Sequence, residues 1–222
     1  MPGSILENIH DPPIPAPQAH RHNAPTLQPR HDVLKDGSTS VTLYPVIDGA
    51  ASLPSGLVKF LHREFSAEIE RGCTYPMEEP LSLEKFAEYW FGTFAVVVLR
   101  GSDEKISREE ERNWEEECLG TFYIKPNYPG RCSHVCNAGF LTCTAARGKG
   151  IGLVMGRTYL EYAPKLGYKY SVFNLVFANN QASIRIWDKL GFTVLGRVPG
   201  AARLANSDEL VDALIYGRKL GD

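Results

Sequence analysis

The chain has 222 residues, of which 43% are hydrophobic and 23% are charged, a composition that suits a globular protein with one sizeable core. Its formal net charge of −2 argues against a general nucleic-acid binder, whose surface would be basic. No apolar run approaches the ~18 residues of a membrane span, and no signal peptide is visible. Neither nucleic acid nor a membrane is therefore an expected partner.

The first 38 residues predict a disordered or loosely attached tail, and residues 39–222 predict the folded domain. The tail holds seven of the fifteen prolines and four of the six histidines, and it lacks apolar periodicity. Its histidines could bind metal, but histidines scattered through a proline-rich segment are usually solvated. Because the tail is not rich in arginine, as a mitochondrial presequence would be, the cytoplasm is favoured, with a mitochondrial or nuclear pool left open.

A strand at residues 41–46 and two helices open the predicted domain. Apolar residues recur every four positions from 57 to 69, which predicts an amphipathic helix, and a second helix is predicted over 82–90. The connection between them contains Thr-Tyr-Pro at residues 74–76. This loop is either a wall of a substrate site or a simple connector between helices.

The second half of the chain continues with alternating strands and helices. Residues 102–117 carry eight acidic against three basic side chains and predict a solvated insertion between two strands. The stretch from 137 to 192 predicts strand, glycine-rich turn, helix, strand and helix. Further strands are predicted at 94–99, 119–124, 193–198 and 211–216. The order β-α-α-β-β-β-α-β-α-β-β predicts an α/β fold, a mixed sheet flanked by helices.

The glycine-rich turn Arg147-Gly148-Lys149-Gly150-Ile151-Gly152 predicts an anion site. Glycine lets the backbone approach a ligand closely, and the helix that follows presents unpaired N–H groups and the positive end of its dipole. These features favour a phosphate or pyrophosphate. A Walker A loop is excluded because no Ser or Thr follows the lysine, and the spacing does not fit a dinucleotide fingerprint.

The spacing Arg147-x-x-Gly150-x-Gly152 resembles the coenzyme A pyrophosphate loop of the GCN5-related N-acetyltransferase (GNAT) superfamily. The segment from Asn180 to Leu190-Gly191-Phe192 resembles the closing helix of that superfamily and its ending. The two motifs occur in the expected order, about 30 residues apart. This spacing makes the resemblance specific.

The resemblance implies a GNAT fold, with a mixed, mostly antiparallel twisted sheet flanked by helices, and acetyl-CoA as cosubstrate. It implies that the backbone of residues 141–143 holds the pantetheine arm and supplies an oxyanion donor. No metal is implied, and Cys132 with Cys136 lacks the second ligand pair of a zinc site. The implied cofactor-binding residues are Leu141, Cys143, Arg147, Gly148, Lys149, Gly150, Ile151, Gly152 and Ser183.

The usual acid and base of the superfamily are missing from their expected positions. Many relatives carry a thiolate-protonating tyrosine where this chain has Trp187, whose indole N–H is not a useful acid. Glu68 and Glu70 are the nearest candidate bases, and we expect them to be solvated charges. Cys143 is a conceivable nucleophile, but nothing nearby in the sequence would activate its thiol, so direct attack by the amine is expected.

Three asparagines are the main polar candidates for the acceptor site. Asn174 lies in an otherwise apolar strand, where a buried amide needs hydrogen-bond partners. Asn180 lies where that strand gives way to the closing helix, and Asn137 precedes the central strand. Each also has a structural interpretation, as a core hydrogen bond, a helix N-cap or a turn respectively.

Longer blocks of sequence resemble a narrower family, the fungal L-azetidine-2-carboxylate N-acetyltransferases. These blocks lie at residues 120–128, 131–141 and 167–176, and the resemblance extends from about residue 40 to 222. It implies acetylation of small cyclic imino acids (azetidine-2-carboxylate, cis-4-hydroxyproline and, as a further candidate, pyrroline-5-carboxylate), detoxification of proline analogues, and a homodimer. Carried over by position, Asn180 is the catalytic residue and the substrate-binding residues are Asn137, Asn174, Leu175, Phe140 and Tyr75.

Two other functions remain open at the level of sequence. The acceptor could be a protein lysine or N-terminus, which would require an open peptide groove. Alternatively, the chain could be a coenzyme A-binding module without activity, an alternative that the tryptophan at position 187 supports.

Overall fold

The computed structural model describes residues 27–107 and 112–221. Its centre is an eight-stranded sheet in the order β1-β2-β3-β4-β5-β6-β8-β7, in which only the β5–β6 pair is parallel. The strands are β1 (Arg30–Val33), β2 (Ser40–Val46), β3 (Ala95–Arg100), β4 (Cys118–Pro126), β5 (Val135–Thr142), β6 (Tyr170–Phe177), β7 (Thr193–Ala202) and β8 (Val211–Lys219). The predicted mixed, mostly antiparallel sheet is confirmed.

Five α-helices lie between these strands in the described part of the chain. They are α1 (Ser55–Glu70), α2 (Leu83–Phe91), α3 (Trp114–Glu117), α4 (Ile151–Lys165) and α5 (Gln181–Lys189). The element order matches the predicted order, with β1 and the single-turn α3 added. The acidic insertion contains α3 at its end, and residues 108–111 of it lie outside the described part of the chain. Within the described residues, no helix combines the length and apolarity needed to cross a bilayer.

The predicted boundary between tail and domain at residue 38 is too late. Strand β1 pairs with β2 from Arg30↔Leu43 to Val33↔Ser40, and Leu27 and Leu34 are buried in the core. Sequence periodicity missed this segment because its strand has only four residues and forms through pairing with β2. Residues 1–26, including three of the four tail histidines, lie outside the described residues.

Helices α1 and α2 pack on the sheet through an aromatic cluster. Phe65 and Phe86 are fully buried, and the indole N–H of Trp90 donates to Thr121 Oγ1 at 2.9 Å inside the core. Thr121 Oγ1 in turn donates to the carbonyl of Val96 at 2.7 Å. This chain of hydrogen bonds satisfies every polar atom of the contact and fixes the helix pair against β3 and β4.

The parallel pair β5–β6 is held together at one end only. Its pairing is limited to Val135↔Tyr170 and Cys136↔Ser171, after which the two strands diverge. Strand β6 also has a bulge against β8 between Phe173 and Val176. The sheet therefore splits into two halves, and the opening between them leads to the start of α4.

Candidate active site

A cleft of about 600 Å³ occupies the opening between β5 and β6. The sequence-predicted residues that line it are Asn137, Phe140, Leu141, Arg147, Gly152, Asn174, Leu175, Asn180, Ser183 and Tyr75. The other predicted cofactor residues, Cys143, Gly148, Lys149, Gly150 and Ile151, are not among those that line the cleft. Residues 148–151 continue the glycine loop beside it, whereas Cys143 is buried elsewhere.

The glycine loop has the backbone geometry of an anion site. Gly148 and Gly150 have φ values of 75° and 90°, a conformation that other residues rarely adopt. Gly150 caps α4 without a side-chain hydrogen bond. Among the described residues, the backbone N–H groups at 148 and 150–152 have no acceptor. These donors lie at the positive end of the α4 dipole.

Gly152 has a second, structural reason to be glycine. A Cβ at this position would lie 2.8 Å from Ile186 Cδ1, so the missing side chain lets α4 approach α5 closely. The same closeness brings Ser183 of α5 to the side of the cleft next to the loop.

The two basic residues of the loop have different surroundings. Lys149 is exposed, whereas Arg147 donates a hydrogen bond of 2.6 Å to Glu68 Oε2. Glu68 is 6% exposed and lines the cleft, so the prediction that it is a solvated charge is wrong. Glu70 is exposed, as expected.

Backbone direction along β5 corrects the predicted cofactor contacts at its end. The N–H of Cys143 donates to the carbonyl of Leu119 at 3.1 Å, so it points towards β4 and is unavailable to a ligand. Because backbone groups alternate along a strand, Leu141 also directs its N–H towards β4. Phe140 and Thr142 direct theirs to the open side, and the Phe140 carbonyl accepts from Tyr75 Oη there at 3.0 Å.

Cys143 is fully buried, with its sulfur 4.0 Å from the sulfur of Cys118. Burial raises the pKa of the Cys118 thiol well above its usual range. No basic side chain contacts either sulfur among the described residues. The pair therefore has the environment of inert core thiols.

The three asparagines lie around the cleft and differ in the hydrogen bonds that their side-chain amides already make. Asn174 and Asn127 exchange two amide hydrogen bonds, of 2.6 Å and 3.2 Å, which leaves Asn174 one amide hydrogen for a ligand. Asn180 caps α5 by accepting from the N–H of Ser183 at 3.1 Å. Asn137 is 9% exposed and accepts from the N–H of Ala138.

Sequence reasoning did not identify Asn127, the partner of Asn174. Asn127 follows β4 in a loop, where an asparagine is unremarkable, and it meets Asn174 only across 47 residues of sequence. Nothing in the local pattern distinguishes it from a turn residue.

The remaining wall of the cleft is aromatic. Phe140 packs against Trp187 with ring centroids 4.9 Å apart, and Trp187 packs against Phe173 at 4.4 Å. The Trp187 indole N–H donates to Ser183 Oγ at 2.8 Å. Leu175 is 43% exposed at the rim, and Tyr75 covers the opposite side. An apolar wall with a few amide groups suits a small, compact acceptor.

Among the described residues, no group of three or more His, Cys, Asp or Glu side chains could hold an ion. Cys132 is exposed, whereas Cys136 is buried and contacts Tyr159 Oη at 3.0 Å. Burial raises the pKa of Cys136 to about 12.

Proteins with similar sequences include named acetyltransferases. The chain is 46% identical to the N-acetyltransferase aca1 of Schizosaccharomyces pombe over 154 residues, which cover 67% of this chain and 73% of that protein. It is 36% identical to protein SPT10 of Saccharomyces cerevisiae over 229 residues, which cover 87% of this chain but only 36% of that longer protein.

Solved structures share the fold. A GNAT superfamily phosphinothricin acetyltransferase from Sinorhizobium meliloti, determined in complex with AcCoA, superposes with a TM-score of 0.61 at 17% identity, over 82% of this chain and 89% of that one. The acetyltransferase (GNAT) family itself matches residues 66–192, which include the cleft and the glycine loop. The predicted enzyme class is thus confirmed, and the chain belongs to the GNAT family of acetyltransferases.

Proposed function

We propose that this chain transfers the acetyl group of acetyl-CoA to the ring nitrogen of a small cyclic imino acid. Azetidine-2-carboxylate and cis-4-hydroxyproline are the primary candidates. A third is pyrroline-5-carboxylate, which would react through the amine of its open semialdehyde because the ring imine carries no N–H. Acetylation removes the reactive ring N–H, so the physiological role would be detoxification of proline analogues. The carrying observation is the contact of Tyr75 Oη with the Phe140 carbonyl, which narrows the acceptor end of the cleft.

The cofactor half of the proposal is supported by the glycine loop. Its unpaired N–H groups, with the helix dipole, suit a pyrophosphate, and Arg147 stands beside them. The pantetheine arm would follow β5 along its open side, where the N–H of Phe140 and the backbone groups of Thr142 are presented, while the Phe140 carbonyl accepts from Tyr75. The N–H of Phe140 is the proposed oxyanion donor, since donors of this kind stabilise the charge that develops in acyl transfer.

The acceptor half is supported by amide groups at the opposite end. We propose that the side-chain amides of Asn137 and Asn174 donate hydrogen bonds to the substrate carboxylate, Asn174 through its remaining amide hydrogen. Asn180 Oδ1 has a second lone pair beyond the one that caps α5, and we propose that it orients the substrate nitrogen. Phe140, Leu175 and Tyr75 would enclose the ring.

The proposed reaction is direct attack of the nitrogen on the acetyl carbon, with coenzyme A leaving as the thiolate. The attacking nitrogen gives its proton to water, and water protonates the leaving thiolate in place of a dedicated acid. Trp187 cannot protonate the thiolate, because its N–H is held by Ser183 and is not acidic.

The test is thiol release from acetyl-CoA with azetidine-2-carboxylate, cis-4-hydroxyproline and a lysine-containing peptide as separate acceptors. Asn180→Ser is the informative variant, because serine preserves the helix cap while removing the amide. We expect turnover with the imino acids only, and a loss of about 100-fold in kcat for Asn180→Ser, the size of one lost transition-state contact.

The neighbouring, exposed Asn179→Ser serves as the matched control and should leave kcat unchanged. Turnover of the peptide, or imino-acid rates that do not depend on Asn180, would contradict the substrate assignment. Binding of acetyl-CoA without turnover of any acceptor would favour a module that has lost its activity.

We also propose a homodimer in the cytoplasm. Strand β7 lies at the edge of the sheet and exposes Val194, Leu195 and Val198, each at least 40% accessible. Apolar side chains on a long edge strand usually mark a contact surface. Light scattering should give twice the 24.7 kDa mass of the chain, and Leu195→Glu should give the monomer.

The proposed cytoplasmic location has its own test. Fluorescence imaging of the tagged chain in cells should show a cytoplasmic signal.

A further inference from the structure

The C-terminal end of α1 carries a carboxylate that the proposed chemistry does not use. Glu68 is the only acidic side chain that is buried among the described residues, with 6% of its surface exposed. A buried carboxylate is costly unless cations or hydrogen bonds compensate it. The contacts of the Glu68 side chain therefore show how the cost of burying its charge is compensated.

Glu68 is held by three donors from three parts of the chain. Its Oε1 accepts from the guanidinium of Arg71 and from the hydroxyl of Thr74, and its Oε2 accepts from Arg147 at 2.6 Å. One negative charge thus faces two positive charges, and the cluster as a whole keeps a net charge of +1. The cluster compensates the carboxylate and still attracts an anion.

These contacts connect the two ends of the cleft. Arg147 belongs to the glycine loop, whereas Thr74 precedes Tyr75, the side chain that narrows the acceptor end. Glu68, Thr74 and Arg147 all line the same cavity. One carboxylate is therefore bonded on one oxygen to the acceptor wall and on the other to the cofactor loop.

Helix α1 is tied to the cofactor side at a second point. Glu64, one turn before Glu68 on the same helix face, accepts from the backbone N–H of Thr144 at 2.6 Å. The end of α1 thus has a fixed place relative to the segment from Thr144 to Arg147. Movement of the loop would be passed to the helix end and to the residues bonded there.

We propose that Glu68 is a positioning residue that couples occupation of the cofactor loop to ordering of the acceptor wall, residues 73–77. The coupling rests on the proposed cofactor site. A pyrophosphate in the loop engages the free donors of the Arg147 guanidinium, which presents five N–H groups and can serve phosphate and carboxylate together. When Arg147 binds both the pyrophosphate and Glu68, it fixes the position of the Glu68 carboxylate. Glu68 then fixes the hydroxyl of Thr74, and with it the position of the next residue, Tyr75.

The consequence is cooperative binding with a definite direction. The cofactor bears the entropy cost of ordering the wall, so the acceptor binds more tightly to the enzyme that already holds acetyl-CoA. Linkage requires that the acceptor tighten acetyl-CoA binding by the same factor. Without the carboxylate, the two ligands bind independently.

Hydrogen–deuterium exchange of the full chain, with and without coenzyme A, tests the coupling without any acceptor. We expect coenzyme A to slow exchange of the amides at 73–77 by at least about fivefold, the lower end of typical coupling. Thr74→Val breaks the link at the acceptor wall alone and should abolish this slowing. Glu68→Gln removes the charge and should abolish it as well.

Glu70→Gln is the matched control, because Glu70 is exposed on the same helix two residues away, and it should behave as wild type. The proposal is overturned if coenzyme A leaves 73–77 unchanged in the wild type, or if protection persists in both Thr74→Val and Glu68→Gln. If Glu68 only stabilised its own surroundings, Thr74→Val and Glu68→Gln would change the exchange of the 73–77 amides by the same factor with and without coenzyme A.

A second measurement uses the acceptor. In steady state with azetidine-2-carboxylate, Thr74→Val should raise the KM of the acceptor by at least about fivefold while kcat is retained. If no imino acid is turned over, the substrate assignment fails, but the exchange experiment still decides the role of Glu68.

Discussion

Cys143 lies at the end of β5, close to the path proposed for the pantetheine arm, but its thiol has the wrong surroundings for a nucleophile. It is fully buried against Cys118, whose pKa burial raises. Cys143→Ala should therefore retain kcat within about threefold, whereas removal of a true nucleophile costs orders of magnitude. Steady-state thiol release measures the rate.

Mass spectrometry of the intact protein during turnover checks the same point directly. No acetylated protein should accumulate in the wild type, and Cys118→Ala serves as the matched control for loss of a buried thiol. A trapped acetyl-enzyme that disappears in Cys143→Ala would contradict direct attack.

Trp187 offers a second prediction at the residue scale. Its indole packs between Phe140 and Phe173, and its N–H is bonded to Ser183. If water protonates the thiolate, Trp187→Phe should reduce kcat by less than about tenfold, because loss of a general acid typically costs 10²–10⁴-fold. The pH profile of kcat should keep its shape.

Trp187→Tyr is the complementary variant, since it places a phenol where the resemblance to the superfamily implies one. A large gain in kcat for the tyrosine variant would support the absence of a dedicated acid in the natural chain. A loss of about 100-fold or more for the phenylalanine variant would instead indicate that the indole takes part in the reaction.

The side-chain contacts of the site were predictable only where they are local. The N-cap of Asn180 follows from its position before α5, and the structure has it. The partner of Asn174 lies 47 residues away in sequence, and of the three donors to Glu68 it is Arg147 that is distant, at 79 residues. The helical pattern around Glu68 does not show that Arg147 meets its second oxygen, so the local sequence suggested a solvated charge.

At the scale of elements, α4 packs onto β4 through a glycine. A Cβ on Gly120 would lie 2.7 Å from the carbonyl oxygen of Leu141 and 3.2 Å from Met155 Sδ. The oxygen belongs to the β4–β5 ladder and cannot move without breaking it. Gly120→Ala should lower the free energy of unfolding by about 1–3 kcal/mol, as overpacking typically does.

Urea denaturation measures this change, and Gly196→Ala provides the matched control. Gly196 is also a strand glycine, but a Cβ there would make only an ordinary contact, 3.8 Å from Ile215 Cδ1. We expect its effect to stay within about 0.5 kcal/mol. Equal effects of the two substitutions would show that backbone entropy, not packing, decides the result.

Element order was well predicted because hydrophobic periodicity is strong in this chain. The two helices after β2 and the strand–turn–helix–strand–helix stretch after residue 137 occur as expected. The bulge in β6 was not predictable, since nothing in the run from Tyr170 to Phe177 marks it. It arises from pairing with β8, and bulges of this kind often redirect side chains beside active sites, as here at Asn174.

At the scale of the whole molecule, the described residues 27–38 belong to the domain. Arg30 forms an ion pair of 2.6 Å with Glu161 on α4, and Tyr162 Oη donates to the Gln28 carbonyl at 2.8 Å. The segment thus contacts β2 on one side and α4 on the other. The sequence alone predicted a tail here because residues 1–38 as a whole hold seven of the fifteen prolines.

Leu34→Ala tests this attachment quantitatively. Leu34 is 4% exposed and packs in the main core, so its truncation should lower the free energy of unfolding by about 2–5 kcal/mol. The adjacent Val33 is 50% exposed, and Val33→Ala should change it by no more than about 1 kcal/mol. Urea denaturation followed by tryptophan fluorescence measures both. If Leu34→Ala matches Val33→Ala, residues 27–38 contribute no stability and the domain begins at β2; if it does not, the eight-stranded sheet is the folding unit.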